Sequence, residues 1–436
     1  MRPATFESSL RHAGTRPTAR RSWFGESLEP REALESKRGQ PLRRRKNMMR
    51  SGVPFRGCLT CARVFRNLVP ILALTCVGLV SGGVPTIVRA GAPTYTTFDV
   101  PGAGTGDFRG TVPINSAPDG TVVGFIRQSA AENDHRLGFV RDPRGNITTF
   151  DAPNAGTDVV QGTHAYSITP NGTTTGWYYD QLYVTHGFVR TRDGVISVFD
   201  LPGGGTQACR GTYVFSSEIT PNGTITGYYV DDSDIAHGFL RNRGGGVSVF
   251  DVPTASGAGT AECIYNAGTQ PAAINMSGVI VGTYFDAFGV GHGFVRSAQG
   301  SITTFDVPGD TFGTYPSAIN PSGAATGVYV DGSGTNHFFV RAAGGAVTTF
   351  DLPPGAPAGS APAFAYIAAD GTVAATYQEA NGNPHAFLRD AKGAMTSIDV
   401  PGAVNGTEAN GINANGVVTG DWRDANFTVH GLIRTP

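Results

Sequence analysis

From residue 94 onward the chain alternates apolar and polar side chains in short runs, as in "SVFDL" (Ser197–Leu201), "TGYYV" (Thr226–Val230) and "GFVR" (Gly187–Arg190). The period is two rather than 3.6, and Val, Thr, Phe and Tyr dominate. These runs therefore predict half-buried β-strands, and helical periodicity is absent throughout. Between them stand "TPNG", "NPSG", "TRDG" and "DAKG". Such strings suit a type I turn closed by a glycine at positive φ, which is the tight hairpin of antiparallel strands.

Four short words recur in fixed order, seven times each. The first carries Ile114, Ile168, Ile219, Ile274, Ile319, Ile367 and Ile412 ahead of a turn. The second centres on Gly124, Gly176, Gly227, Gly282, Gly327, Ala375 and Gly420. The third reads "HGFVR", with Leu137 in the histidine's place in the first copy. The fourth reads "TFDVP". In repeats two to seven, Ile to Gly is always 8 residues and Gly to His always 10; in repeats one to six the next Asp follows the His, or Leu137, by 14. Only the first repeat is stretched, and only the stretch from Asp to the next Ile varies in length. Fixed hairpin lengths are what register demands, since a one-residue slip sends every side chain to the wrong face.

Four antiparallel strands in about fifty residues is the pattern of a β-propeller blade. The words map onto strands a, b, c and d. The body opens on an orphan fourth word, "TYTTFDVPG", and ends on a third word, "HGLIRTP". The fold expected is therefore all-β, a seven-bladed propeller of four-stranded antiparallel blades. Residues 94–101 supply strand d of the last blade and close the ring. A β-solenoid is the competing architecture; it needs no borrowed strand and prefers parallel coils.

The third word carries a family likeness. His385-Ala386-Phe387 is a literal His-Ala-Phe triplet, and HGF at 186, 237 and 292, HFF at 337, HGL at 430 and LGF at 137 are its variants. In register over residues 94–436, these words resemble the bacterial extracellular HAF-repeat family. The resemblance implies a β-propeller-like, exported protein and implies no reaction.

Composition divides the chain. Residues 1–92 carry seventeen Lys/Arg and five Glu, whereas the rest carry sixteen Lys/Arg and twenty-nine Asp/Glu. A body near −13 argues against nucleic-acid binding, which needs a basic stripe. Residues 48–92 have an Arg-bearing start, an apolar run Leu68–Val80 and "AGA" at Ala90–Ala92, the order of a secretory signal cleaved near Ala92. Thirteen apolar residues containing Pro70 are short for a membrane span. Residues 1–47 read as a non-native or disordered extension, with a basic arm as the alternative. The mature body, 93–436, is then secreted or periplasmic, without a membrane span, and expected as a monomer. Cys58-x-x-Cys61 lacks the second pair that a zinc site requires. Cys209 and Cys263 are a candidate disulfide of the exported body.

Hairpin arithmetic sets each repeated His against a repeated Asp. The expected links are His186–Asp200, His237–Asp251, His292–Asp306, His337–Asp351, His385–Asp399 and, across the closure, His430–Asp99. Leu137 leaves Asp151 without this donor. Copies spread around a ring cannot converge, so the histidines are read as structural. The Phe beside each Asp (98, 150, 199, 250, 305, 350, with Ile398 seventh) is expected in the core. A second acid stands six residues before each His. It is a weak calcium candidate at Asp231, Asp232 and Asp234, and otherwise a side chain capping its own turn.

The variable d–a loops share a face with the b–c loops, and variable loops on a rigid scaffold are where ligands are gripped. Arg109, His164, Arg210, Gln270, Tyr315 and Glu408 are the unequal polar and aromatic residues near that end and form the candidate ligand site. No nucleophile elbow, phosphate loop, zinc motif or pair of catalytic carboxylates is evident, so no catalytic residue or cofactor is assigned. The sequence favours a secreted binding module for a glycan, peptide or protein. The alternative is an exported hydrolase or lyase acting on polysaccharide or lactone-like substrates at the channel mouth.

Overall fold

The computed structural model describes residues 92–215, 219–257 and 266–436. The extension, the signal segment and Cys263 lie outside the described residues. Among those described, the only helical piece is a single 3₁₀ turn, Ala130–Glu132, and no helix is long and apolar enough to cross a membrane.

Repeat two folds as its words predict. In repeat two, strands Gly162–Ile168, Thr174–Tyr179, Thr185–Arg190 and Ile196–Phe199 pair antiparallel in sequence order. Burial falls off outward: the first two strands are wholly buried, and the fourth alternates between exposed and partly buried residues with none buried. The turns carry glycine at positive φ where the strings place it, as at Gly172 and Gly194. The last three strands of the chain, Thr407–Ile412, Val418–Arg423 and Val429–Thr435, are completed by the opening strand Thr94–Phe98. That strand runs antiparallel to Val429–Thr435, with Thr94 opposite Thr435 and Phe98 opposite Gly431.

Successive repeats are tied by the same devices. A threonine opening strand a accepts the backbone N–H of the residue after the preceding Asp: Thr163 from Ala152 at 2.7 Å, Thr212 from Leu201 at 3.1 Å, Thr269 from Val252 at 3.0 Å. In the first six repeats the Arg of the third word lies over the Phe of the preceding fourth word. Arg190 sits 4.9 Å from the Phe150 ring centroid, Arg241 4.6 Å from Phe199, and Arg141 5.0 Å from Phe98. The amide of Asn275 donates to the Asn320 carbonyl, Asn320 to Ala368, and Asn413, in the last repeat, to Ala117 in the first.

Two glycines of the words are steric necessities. Strand a carries a bulge between Ala165 and Ser167, which presses the His164 carbonyl onto Gly176; a Cβ there would lie 2.0 Å from that oxygen. The glycine of "HGF" makes room for a ring: a Cβ on Gly187 would stand 2.6 Å from Phe199. The repeats adjust accordingly. Where Ala386 replaces the glycine, the facing residue is the smaller Ile398, and where Phe338 replaces it, Phe350 stacks on it at 5.2 Å. Gly187→Ala should therefore cost more than Ala386→Gly, read as the difference in unfolding midpoint. Equal costs would discard the ring-accommodation account.

The structure corrects the reading of the core and of the first repeat. The fully buried aromatics belong to the third word, not the fourth: Phe139, Phe188, Phe239, Phe294, Phe339 and Phe387 are all at 0% exposure. Phe98, Phe150, Phe199, Phe250 and Phe305 are only half-buried, because strand d is outermost and the guanidinium covers one face; Phe350 and Ile398 are buried. Ile114 is not the partner of Ile168. Pro113 opposes Gly124 as Ala165 opposes Gly176, so Ser116 takes the Ile168 position, and only the b–c connection of the first repeat, which holds the 3₁₀ turn, is lengthened.

Candidate functional site

Five of the expected imidazole–carboxylate links are present. His186 Nδ1 lies 2.8 Å from Asp200, His237 2.9 Å from Asp251, His292 2.8 Å from Asp306, His337 2.6 Å from Asp351 and His430 2.9 Å from Asp99. The sixth is not made: Asp399 accepts from Ser397 Oγ at 2.6 Å, and His385 turns its Nε2 to Glu379 at 3.0 Å. Asp151 is not without a donor either. His135, two residues before Leu137, approaches it at 2.8 Å. Residues two apart on a strand share a face, so the imidazole reaches the same carboxylate from the preceding position on that side.

The second acid does two jobs the sequence did not combine. One oxygen of Asp180 accepts the N–H of Leu182 and of Val184, capping the b–c turn; its other oxygen stands 3.4 Å from His186 Nε2. Asp331 repeats this, capping Ser333 and Thr335 and lying 3.2 Å from His337. Each such imidazole also stacks on an aromatic of strand b, Tyr178 on His186 at 5.0 Å and Trp422 on His430 at 4.3 Å. For His186, His292 and His337, burial opposes the charge, but the two flanking carboxylates outweigh it and raise the pKa. A raised folded pKa gives stability that is full below the ordinary histidine value, near 6.5, and is lost as pH climbs through the raised value. The melting temperature should therefore fall from pH 6 to pH 9, and replacing these three histidines by Gln should flatten the curve. An unchanged slope in the triple variant would refute the assignment.

At Asp231–Asp234 the oxygens are spoken for. Asp231 caps its turn through Ser233 and Ile235, and Arg210 clasps Asp234 in a two-pronged bridge at 2.7 and 2.9 Å. Among the described residues, no group of three or more His, Cys, Asp or Glu is placed to hold a metal ion. Cys209 is disulfide-bonded.

The six candidate ligand residues do not form one site. Arg210 is bound to Asp234, as above. Arg109 lies between Asp107 at 3.4 Å and Asp134 at 3.6 Å. Gln270 and Tyr315 are on strand a of the fourth and fifth repeats, and the Tyr315 hydroxyl donates to the Phe312 carbonyl at 3.1 Å. His164 is buried and stacked on Trp177 at 4.1 Å, with Phe125 at 4.7 Å. Burial first, then the positive charges of Arg136 and Arg127, hold its pKa well below the ordinary value, so this imidazole is neutral.

Glu408 leads to a cluster that no other repeat copies. It pairs in register with Asp421 on the neighbouring strand, and its carboxylate accepts Arg423 Nη2–H at 3.1 Å. Asp421 is 4% exposed, and its Oδ2 accepts Asn410 Nδ2–H at 2.8 Å. Its pKa is pushed up to about 7, chiefly by burial and next by the Glu408 charge, against the pull of Arg423, Asn410 and Arg127. Arg127 ends strand Val122–Arg127, and its charge acts on both His164 and Asp421. Glu408, Arg423 and Arg127 all stand at the end of their strands that bears the d–a and b–c loops. Beside them Phe108 and Phe427 meet at 5.1 Å, with the Arg423 guanidinium 5.3 Å from the Phe108 ring centroid. Asp421 was overlooked because it sits where other repeats carry Trp177, Tyr228, Thr283 or Val328; the signal was that single acid in an otherwise uncharged column of the second word.

No family model matches the chain, and no curated protein matches it. Solved structures do. A catalytically inactive virginiamycin B lyase from Staphylococcus aureus with quinupristin is similar at 16% identity over 78% of this chain and 99% of that one, with a TM-score of 0.51. The fold is β-propeller-like. A streptogramin B lyase is similar at 14% identity over 78% and 97% of the two chains, TM-score 0.49. A lectin from Burkholderia pseudomallei is similar at 11% over 72% and 91%, TM-score 0.44. At these identities the likeness of this propeller-like chain to the first structure is one of fold alone.

Proposed function

We propose that residues 93–436 form a closed seven-bladed propeller that is exported and binds a ligand through the face bearing the d–a and b–c loops. The pairing of Thr94–Phe98 with the last strand, and the Asn413–Ala117 bond between last and first repeats, support closure. The charged, apolar and small-residue order of residues 48–92 and the HAF-type words support export. The acidic body speaks against nucleic acid as partner and leaves a glycan, peptide or protein.

One observation carries the binding reading. The imidazole–carboxylate links, the turn caps and the threonine and asparagine ties between repeats recur from repeat to repeat, whereas the Glu408–Asp421–Arg423–Arg127 cluster, which holds a buried acid, occurs once, at the loop end. A repeated link serves the scaffold; an unrepeated, half-buried charged cluster is what one asymmetric ligand requires. A glycan and peptide array probed with the protein should yield ligands whose affinity drops at least tenfold in Arg423→Ala and is unchanged in Arg192→Ala, an exposed residue of a c–d turn. Ligands indifferent to Arg423 would sink the proposal.

A second reading, an exported hydrolase or lyase acting on polysaccharide or lactone-like substrates, is favoured by one feature. A carboxyl whose pKa is raised to about 7, by burial first and next by the Glu408 charge, has the make-up of a general acid. Turnover on a panel of glycans and lactones, lost in Asp421→Asn with melting unchanged, would establish it; no turnover on that panel leaves the binding module.

A further inference from the structure

We infer that the protein stacks head to tail on a second copy of itself, the face bearing the a–b and c–d turns of one chain seated on the loop face of the next. The inference rests on how charge is divided between the two faces and not on the ligand reading above.

Strand direction decides which side chains share a face. Strand a runs parallel to strand c of the repeat before it where the two meet, as at Gly162 with Arg136, Gly211 with Thr185 and Gly313 with Gly291. Successive repeats therefore point the same way, and a residue's place along its strand assigns it to one face. Of the sixteen Lys and Arg in residues 93–436, eleven stand at the turn face. They are the arginine that ends each third word, from Arg141 to Arg434, with Arg144, Arg192, Arg243 and Lys392 in the c–d turns. Among the described residues only five acids stand there, Asp119, Asp142, Asp193, Asp370 and Asp390, which leaves an excess of six positive charges. The loop face is the reverse: twenty-two described acids against five arginines, an excess of seventeen negative charges. A total near −13 conceals this division.

The charges of the turn face are not consumed within the chain. The arginine–carboxylate pairs of the described residues, at Arg109, Arg136, Arg210 and Arg423, all lie at the loop face. The acids of the turn face are turned to their own backbone: Asp119 accepts the Thr121 N–H, Asp142 those of Arg144 and Asn146, and Asp390 those of Lys392 and Ala394. The third-word arginines are held rather than paired. Arg190 donates through Nη1 to the Thr191 carbonyl at 3.3 Å while its guanidinium lies over Phe150. The shafts of Arg192 and Arg243 lie against Gly172 and Gly223 of the a–b turns. Side chains placed before contact lose little freedom on binding.

Apolar tips point to the same partner. Turn tips are ordinarily polar, yet Phe288 (91% exposed), Leu182 and Val404 stand on the loop face, and Val195 and Met276 on the turn face. A lipid surface would use the basic face and leave Phe288 and Leu182 in water; a second copy uses both faces. Opposite charge orients the encounter. Because the two faces differ, the contact is heterologous: each added chain presents a fresh loop face, and association continues past the dimer.

The test is sedimentation equilibrium of the protein. At about 20 mM NaCl the average mass should rise with protein concentration beyond that of a dimer, and at about 500 mM NaCl, where charge is screened within a few ångströms, association should weaken at least tenfold. Arg144→Glu, Arg243→Glu and Lys392→Glu together cancel the excess charge of the turn face, and Leu182→Ser with Phe288→Ser removes apolar tips of the loop face. Each variant alone should stay a monomer at low salt. Their one-to-one mixture should form a dimer and stop there, because one variant keeps a working loop face and the other a working turn face. All five positions are exposed, and if a variant fails to fold, the response of the unaltered protein to concentration and salt still decides. A monomer at every concentration in low salt, a mass that stops at the dimer in the unaltered protein, or a mixture that does not associate would overturn the inference. Binding to phosphatidylglycerol vesicles by a protein that stays monomeric in solution would give the basic face to a lipid surface and overturn it too.

Discussion

A chain beginning at residue 102 should lose on the order of 5 kcal/mol or more of stability against one beginning at residue 93, enough to leave the last repeat unfolded. The nine residues removed, 93–101, do four things in the structure. Thr94–Phe98 pairs along its whole length with Val429–Thr435. Phe98 packs against Phe139 at 6.0 Å and lies under Arg141 at 5.0 Å, both in the first repeat. Asp99 holds His430. Val100, 2% exposed, joins a core cluster with Val122, Ile126 and Phe139, and its N–H is held by Thr111. The effect is large because two neighbours, not one, lose their seal. Urea unfolding followed by tryptophan emission is a direct readout, since Trp422 stacks on His430 one strand away. Superimposable curves for the two chains would remove the basis for ring closure.

The second large effect distinguishes the two repeated phenylalanines. Phe188→Ala should cost about 3–5 kcal/mol, the usual loss for a fully buried aromatic. Phe199→Ala, half-buried at the outer strand, should cost clearly less, with a part contributed by the lost face for Arg241. Adding Arg241→Ala to Phe199→Ala should then cost less than Arg241→Ala alone, whereas Arg241→Ala and Phe150→Ala, whose ring is held by Arg190, should be additive. Equal costs for Phe188 and Phe199 would show that burial in the structure misstates the core.

Much of this was legible because β-structure writes its constraints locally. A hairpin of fixed length, a glycine at positive φ and an alternating strand are each satisfied within a dozen residues, and repetition let one copy vouch for the others. The pairing of His186 with Asp200 followed from counting along one hairpin. The same counting failed in the first repeat, where Ile114 is not the partner of Ile168 and His135 replaces the missing imidazole; Ser116 takes the apolar position of strand a, and the longer b–c connection brings in a second histidine, neither of which matching of the words anticipates. It failed at His385 because the register fixes where a ring starts, not its competitors: there Ser397 takes Asp399 and the longer Glu379 stands where the other repeats carry Asp.

The sequence alone determined the strands, their order, the turns and the place where opening and closing segments meet, because each depends on backbone conformation and on side-chain alternation along the chain. Tertiary structure alone decided which phenylalanine is buried, that the third-word arginine of the first six repeats covers a ring of the repeat before it, and that Glu408 faces Asp421 beside Arg127. Those are contacts between strands far apart in sequence. Desolvation and charge, which turn an ordinary aspartate into a proton holder, depend on the packed neighbours and not on the residues beside it in the chain.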